Sequence, residues 1–322
     1  MIVWTSAYFP LIIGVCAGFP GRLFPTAKEA NGQLKASWKD YYEITKPRII
    51  FLNLVAAFGG YWLASRGRIE WGSLLLVLVG TSLVMASSCV FNNYFDRDFD
   101  IKMARTKSRA LPMGKIRPSH ALVYAIVLGI IGEALLFAIN WLAGVLGLVG
   151  MFVYVVIYTL WLKRNSTWST SVGGISGAMP PVIGYAAVTG ELDLGAWLLF
   201  AVLFFWQPPH FWALGIFRTE EYRAAGYPLL PVVKGIKRTK VQMLPYVTLL
   251  FVANLLLYVF DYVGMIYLVA IGAMTLAWVI HSYAGLAAKN DETWARKNFM
   301  FSVNYLLILF VVMIIDTAAY SS

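Results

Sequence analysis

The sequence predicts an all-α, polytopic membrane bundle of about nine transmembrane helices, with its N-terminus in the cytoplasm. Three observations predict it. Of the 322 residues, 60% are hydrophobic and 13% charged, where an ordinary soluble domain carries about a quarter charged residues. Nine stretches approach the roughly 20 mainly apolar residues that a spanning helix needs, and hydrocarbon leaves such a segment no backbone partners except within its own helix. Finally, of 26 Lys and Arg only Arg66 and Arg68 fall on one set of alternate loops, and all the others fall on the opposite set. Short cytoplasmic loops are enriched in basic residues, so the heavily basic side faces the cytoplasm.

In chain order the expected spans are 49–64, 72–91, 120–139, 141–161, 171–188, 196–217, 241–260, 263–283 and 299–320. The first is short. Residues 1–24 are also apolar, but Pro10, Gly14, Gly18, Pro20 and Gly21 interrupt them and no basic residue precedes Arg22. An interfacial or re-entrant segment is expected there, with a tenth span as the alternative, rather than a cleaved signal, which wants a positive start. The chain divides into residues 1–45, an N-terminal apolar and then basic stretch, and 46–322, one nine-helix domain. Cys16 and Cys89 lie far apart in apolar surroundings, the setting of buried, inert thiols. Topology accounts for the net charge of +10, so no nucleic-acid partner is expected; the bilayer is the expected one.

After the second span the chain reads Asn92-Asn93-Tyr94-Phe95-Asp96-Arg97-Asp98-Phe99-Asp100 and continues to Arg105-Thr106-Lys107-Ser108-Arg109. Asn92, Asp96 and Asp100 repeat every four residues, which places them on one face of a helix, with a rise of about 6 Å between successive members. That spacing suits carboxylates sharing a hard cation with a polyphosphate, because Mg²⁺ takes few protein oxygens and completes its shell with phosphate and water. Arg105, Lys107 and Arg109 could hold the remaining phosphate charge. A solvated, charge-balanced loop would explain the basic residues but leaves the three same-face oxygen ligands without a reason.

A second polar stripe follows span six. Gln207, His210, Arg218 and Glu221 lie within about 60 degrees of one another on a helix, and polar residues in a span usually face a cavity or the bundle interior. Pro208 and Pro209 remove two backbone donors beside them, which predicts a kink or break. Packing glue between helices would explain Gln207 and His210 equally well. Span five is dense in Gly, Ala and Pro, as close helix contact requires. Tyr158, Lys163 and Arg164 end span four level with the acidic loop, either as snorkelling cations or as a clamp for phosphate. Glu133, inside span three, is expected to find a polar contact within the bundle.

The Asn92-x3-Asp96-x3-Asp100 element on a nine-span chain resembles the first aspartate-rich motif of the intramembrane UbiA-type prenyltransferases. Thr45-Lys46-Pro47-Arg48, Asp96-Arg97-Asp98, Trp206-Gln207-Pro208-Pro209-His210-Phe211 and Tyr222-Arg223-Ala224-Ala225-Gly226-Tyr227-Pro228-Leu229-Leu230-Pro231 are similar, in order and spacing, to the branch of that family that farnesylates heme. The resemblance implies transfer of the farnesyl group of farnesyl diphosphate to a vinyl group of heme B, with addition of water, to make heme O for terminal oxidases. It implies Mg²⁺ and diphosphate on Asn92, Asp96 and Asp100, catalysis by these with Arg105, Lys107 and Arg109, and substrate contacts from Lys46, Arg48, Tyr158, Lys163, Arg164, Trp206, Gln207, His210, Trp212, Arg218 and Glu221. Among these, His210 is implied against the porphyrin and the indoles of Trp206 and Trp212 as stacking surfaces. A heme A synthase or terminal-oxidase assembly factors are the implied partners; an N-terminus without Arg-rich, Ser-rich leader character favours a bacterial cytoplasmic membrane, with the active-site loops on its cytoplasmic side. One departure is present: the second aspartate-rich motif of the general family is replaced by Gln207, His210, Arg218, Glu220 and Glu221. The competing readings are a prenyltransferase for an aromatic quinone precursor and a transporter with a midplane site formed by broken spans five and six.

Overall fold

A computed structural model describes residues 36–103 and 106–320, with side chains to 317. The segment expected at 1–24 and the side chain of Arg105 lie outside these residues. The described residues form helices joined by short turns, with no strand among them. Eight helices are long and apolar enough to span a membrane.

A short amphipathic start, α1 (Trp38–Ile44), is opened by a reciprocal cap between Ser37 and Asp40, which satisfies two orphan backbone donors at once. Then come α2 (Pro47–Ser65), α3 (Trp71–Asp100) and α4 (Pro118–Ile139). The fourth span begins as α5 (Trp141–Phe152), widens into a π-helix over Val153–Trp161 and tightens into a 3₁₀ turn at Leu162–Arg164. The remaining long helices are α8 (Leu194–Phe217), α11 (Gly235–Val259), α12 (Met265–Ala284) and α13 (Asp291–Tyr320), with the short α9 (Thr219–Ala224) and α10 (Leu230–Val233) between α8 and α11.

The expected fifth span is the exception in length. It consists of α6 (Ser169–Gly177) and α7 (Met179–Thr189), which meet at Ala178 just ahead of Pro180 and Pro181. Proline is at home in a helix's first turn and unwelcome further in, so the pair starts a new helix. A kink or break is expected at Pro208 and Pro209, and no break is found: α8 passes through both residues as one helix. Gln207 supplies a side-chain donor within that turn, its Nε2 lying 3.1 Å from the Leu203 carbonyl, and such local donors make proline tolerable in a spanning helix.

Small residues set the closest helix contact. A Cβ added to Gly60 would lie 2.0 Å from the Pro181 carbonyl oxygen, and one on Gly184 2.0 Å from that of Ala57, so α2 and α7 touch backbone to backbone. Gly184→Ala should therefore force them apart, at a cost of about 1–3 kcal/mol or more by overpacking. A thermal melt of the detergent-solubilised protein checks this, and an unchanged midpoint would refute the close approach.

The main core lies between α2, α7, α8, α11, α12 and α13, around residues such as Leu199, Val247, Tyr267, Trp278 and Tyr305. Some buried polar groups within it pair across helices: Asn254 donates to the Tyr305 hydroxyl at 3.0 Å. Asp316 of α13 accepts from the amides of Gly264 and Tyr267, capping the start of α12. Glu133 differs, since it is buried and neither carboxyl oxygen has a hydrogen-bond partner. The contact expected for it is not made, because it abuts Gly147 and Leu136, which offer it no side-chain donor. Large aliphatic side chains face outward from the spans, among them Val123, Ile130, Val269 and Ile280, each 60% or more exposed. A bundle apolar on both its inner and outer faces is built for lipid.

Candidate active site

At about 1.5 Å per residue a 30-residue helix is about 45 Å long, whereas the hydrocarbon layer is about 30 Å thick. Helix α3 therefore runs beyond the apolar layer, and its last turns carry Asn92, Asp96 and Asp100. All three are 0% exposed. Because α3 is unbroken to Asp100, the three share one face, as the spacing predicts.

Four cations close on that face. Lys46 Nζ donates to Asn92 Oδ1 at 2.7 Å. Asn92 Nδ2 donates to Asp96 Oδ2 at 2.8 Å. Lys163, itself fully buried, ion-pairs with the same Asp96 oxygen, while Arg164 Nη2 reaches Asp96 Oδ1 at 3.3 Å. The Arg164 guanidinium also lies 3.6 Å from the Phe99 ring centroid, a cation–π contact that holds it in place. Arg109 Nη1 donates to Asp100 Oδ2 at 2.7 Å. The π-helical stretch of the fourth span shapes this cluster: Tyr154, Tyr158, Thr159 and Lys163 descend from it, and Thr159 Oγ1 accepts from Asn92 at 3.4 Å. Such widened turns recur at functional sites.

Lys46 owes its reach to an unusual backbone. It precedes Pro47 with φ +58°, in the left-handed region, a conformation seldom adopted by a bulky residue. Burial pushes its ammonium down to about 8, against the pull of nearby Asp96 and Asp100. From the other side the Tyr222–Pro231 segment folds over the cluster, with Tyr222, Tyr227 and Leu229 packed against Met103 and Tyr158. Burial, and then Asp96 and Asp100, push the Tyr227 phenol up.

Three buried polar atoms here lack a hydrogen-bond partner: Asp100 Oδ1, Arg164 Nε and the Tyr227 hydroxyl. Buried polar groups are nearly always satisfied, so an acceptor, a donor and a hydroxyl left open around one motif describe the outline of a charged ligand. Among the described residues no three His, Cys, Asp or Glu side chains form a metal cage. Two carboxylates and an amide, with an open oxygen on Asp100, instead fit a Mg²⁺ ion that shares its shell with phosphate and water.

Lys46 and Arg109 also line a large cavity that enters the bundle, with about 1490 Å³ of atom-free space including its open mouth. Deeper walls come from Met85, Cys89, Met151 and Ile183, and from Trp206, Gln207 and His210 of α8. Gln207 Nε2 donates to the Gly174 carbonyl at 2.8 Å, and Gly177 leaves its amide room, since a Cβ there would lie 2.0 Å from Gln207 Oε1. His210 Nδ1 lies 2.7 Å from Ser302 Oγ. Trp206 donates through Nε1 to the Ser302 carbonyl at 2.9 Å.

The expected site residues thus divide. Asn92, Asp96, Asp100, Lys46, Lys163, Arg164, Arg109, Tyr158, Trp206, Gln207 and His210 gather at the cluster or the cavity. Trp212 instead is buried in a separate apolar group with Met243 and Trp294, edge-on to Tyr246. Arg48 and Lys107 are exposed. Arg218 pairs with Glu221 at 3.0 Å, one turn apart at the end of α8, and lies outside the cavity lining. Helical phase alone put these last two on the stripe, but α8 ends at Phe217 and the phase ends with it. Sequence reasoning missed Ser302, Thr159 and Tyr227 as site residues; only Tyr227 carried a signal, through the Tyr222–Pro231 segment.

The profile described as the UbiA prenyltransferase family matches residues 53–305. The chain belongs to the UbiA prenyltransferase family. Among its relatives, the protoheme IX farnesyltransferase of Serratia proteamaculans is 49% identical over 282 residues, covering 87% of this chain and 95% of that one. The protoheme IX farnesyltransferase of Yersinia pseudotuberculosis is 47% identical over 285 residues, covering 88% and 97%. Among solved structures, one from a study of digeranylgeranylglyceryl phosphate synthase superposes with a TM-score of 0.74 at 20% identity, over 87% of this chain and 98% of that one. A UbiA homologue from Archaeoglobus fulgidus, bound to GPP and Mg²⁺, gives 0.60 at 17% identity, over 85% and 99%. These two likenesses concern the fold alone.

Proposed function

We propose that this protein transfers the farnesyl group of farnesyl diphosphate to a vinyl group of heme B, with addition of water, to make heme O. The observation that carries this reading is the junction of two environments. A buried acid–base cluster opens, through Lys46 and Arg109, onto an apolar cavity whose lining includes an imidazole and an indole. Relatives at 47–49% identity bear the matching name.

Asn92, Asp96 and Asp100 hold Mg²⁺ in this reading, and the ion supplies charge stabilisation for the diphosphate as it leaves. The chain's own cations do the rest. Lys163, Arg164, Lys46 and Arg109 each bind one of the motif's own oxygens. Substrate diphosphate exchanges those partners, so the cations arrive preorganised around the charge that develops on the leaving group. The allylic C–O bond breaks with its electron pair going to diphosphate, and a vinyl carbon of the porphyrin attacks the farnesyl C1. Water then adds to the cation beside the ring and gives up a proton, leaving the hydroxyethylfarnesyl side chain. Apolar walls such as Met85, Met151 and Ile183 keep water from the farnesyl cation before the acceptor does.

Residues 46–322 form the prenyltransferase domain in this account and 1–45 its N-terminal extension. The basic loops, and with them the site, face the cytoplasm of a bacterial cell membrane, where a heme A synthase or oxidase assembly factors take up the product. Competition tests the acceptor. With labelled farnesyl diphosphate and Mg²⁺, heme B should take the label and an equimolar phenolic quinone precursor should not; label on the phenol instead would place the chain in the quinone branch.

A further inference from the structure

The hydrogen bonds around His210 determine which of its nitrogens carries the proton. Ser302 Oγ lies 2.6 Å from the Phe299 carbonyl one turn earlier on α13. A carbonyl can only accept, so the single hydroxyl proton of Ser302 goes there. The same Oγ lies 2.7 Å from His210 Nδ1 and has only lone pairs left to offer, so Nδ1 is the donor. In a neutral imidazole the other nitrogen then bears the lone pair.

Orientation is fixed as firmly as protonation. Trp206 stacks on one side of the ring at 4.5 Å and 20°, and Phe299 stacks at 4.6 Å and 29°. Ser302 also accepts the Trp206 indole through its backbone carbonyl. A single turn of α13, Phe299 to Ser302, therefore sets the ring plane, one of its stacking partners and its tautomer. His210 lines the cavity, and with Nδ1 held by Ser302 the ring nitrogen left for a ligand there is Nε2. Among the described residues Nε2 has no hydrogen-bond partner. Imidazole is a common axial ligand of heme iron, and ligating histidines almost always donate their other N–H to a fixed acceptor that orients the ring and raises its basicity.

We propose that Ser302 is a positioning residue for the acceptor, holding His210 as the Nδ1–H tautomer so that Nε2 ligates the iron of the porphyrin. Anchoring the macrocycle through its centre leaves its vinyl edge to meet the farnesyl group in the same cavity. The inference rests on the reading of heme B as acceptor.

Ferric heme binding to the full-length protein in detergent tests it, read by Soret absorbance and electron paramagnetic resonance. The wild type should show a histidine-ligated signature. His210→Ala should lose it and regain it on addition of free imidazole, while still binding farnesyl diphosphate at the acidic cluster. Ser302→Ala removes one buried oxygen with little change in volume; it should weaken heme binding about tenfold and diminish the signature, and Ser302→Thr, which keeps the hydroxyl, should restore both. A histidine-ligated signature that survives His210→Ala, or wild-type affinity and ligation in Ser302→Ala, would overturn the proposal. So would a wild type that makes farnesylated heme without any histidine-ligated signal, and that result would leave the acceptor reading standing. A folded wild type that neither binds heme nor farnesylates it overturns the acceptor reading, and this proposal with it.

Discussion

Asp96→Asn should lower turnover by at least ~10³-fold, the scale on which preorganised charge contributes to such sites, while the protein still inserts. Asp96 is the hinge of the cluster: it accepts from Asn92, Lys163 and Arg164 at once. The amide keeps the shape of the carboxyl but not its charge, so both the ion site and the counter-charge of Lys163 are lost. Lys163 is 0% exposed, and stranding one member of a buried pair costs about 3–5 kcal/mol. The variant should therefore be less stable as well as inactive. A thermal melt together with product formation separates the two effects, and near-native turnover would sink the metal role of the motif.

The second large effect belongs to Lys163. Lys163→Met keeps the length of the buried side chain and removes its charge. Asp96 retains Arg164 and Asn92, so this variant should fold better than Asp96→Asn. The leaving diphosphate, however, loses one of its four cations, which should cost about 10²-fold in kcat/KM for farnesyl diphosphate. Combining both changes removes the stranded buried lysine. The double variant should melt above Asp96→Asn alone yet stay inactive, a non-additivity expected only of residues in direct contact. Additive losses of stability would show that the pair is not coupled.

Much of this was legible in the sequence, for reasons that differ by residue. The spans follow from hydropathy because lipid imposes a length, and the cluster on α3 follows from an i, i+4, i+8 repeat that an unbroken helix preserves. Gln207 and His210 were legible as polar residues in an apolar helix. Three things were not. The π-helix over Val153–Trp161 has no sequence signature, yet it sets how Tyr158, Thr159 and Lys163 meet α3. Ser302 is an unremarkable serine in span nine until α13 is placed against α8. Arg218 and Glu221 share a helical phase with His210 that the end of α8 cancels, and Trp212 is turned into a different apolar group. The prolines misled in part: Pro208 and Pro209 were expected to kink or break their helix, yet α8 is unbroken through them, whereas Pro180 and Pro181 stand where the chain does break.

The most direct test of the central claim is the mass of heme extracted from membranes containing this protein, after supply of heme B, farnesyl diphosphate and Mg²⁺, beside an Asp96→Asn control. The account predicts a farnesylated, hydrated heme that is absent from the control. Unmodified heme, recovered with a protein shown to be folded and to bind heme, would contradict it.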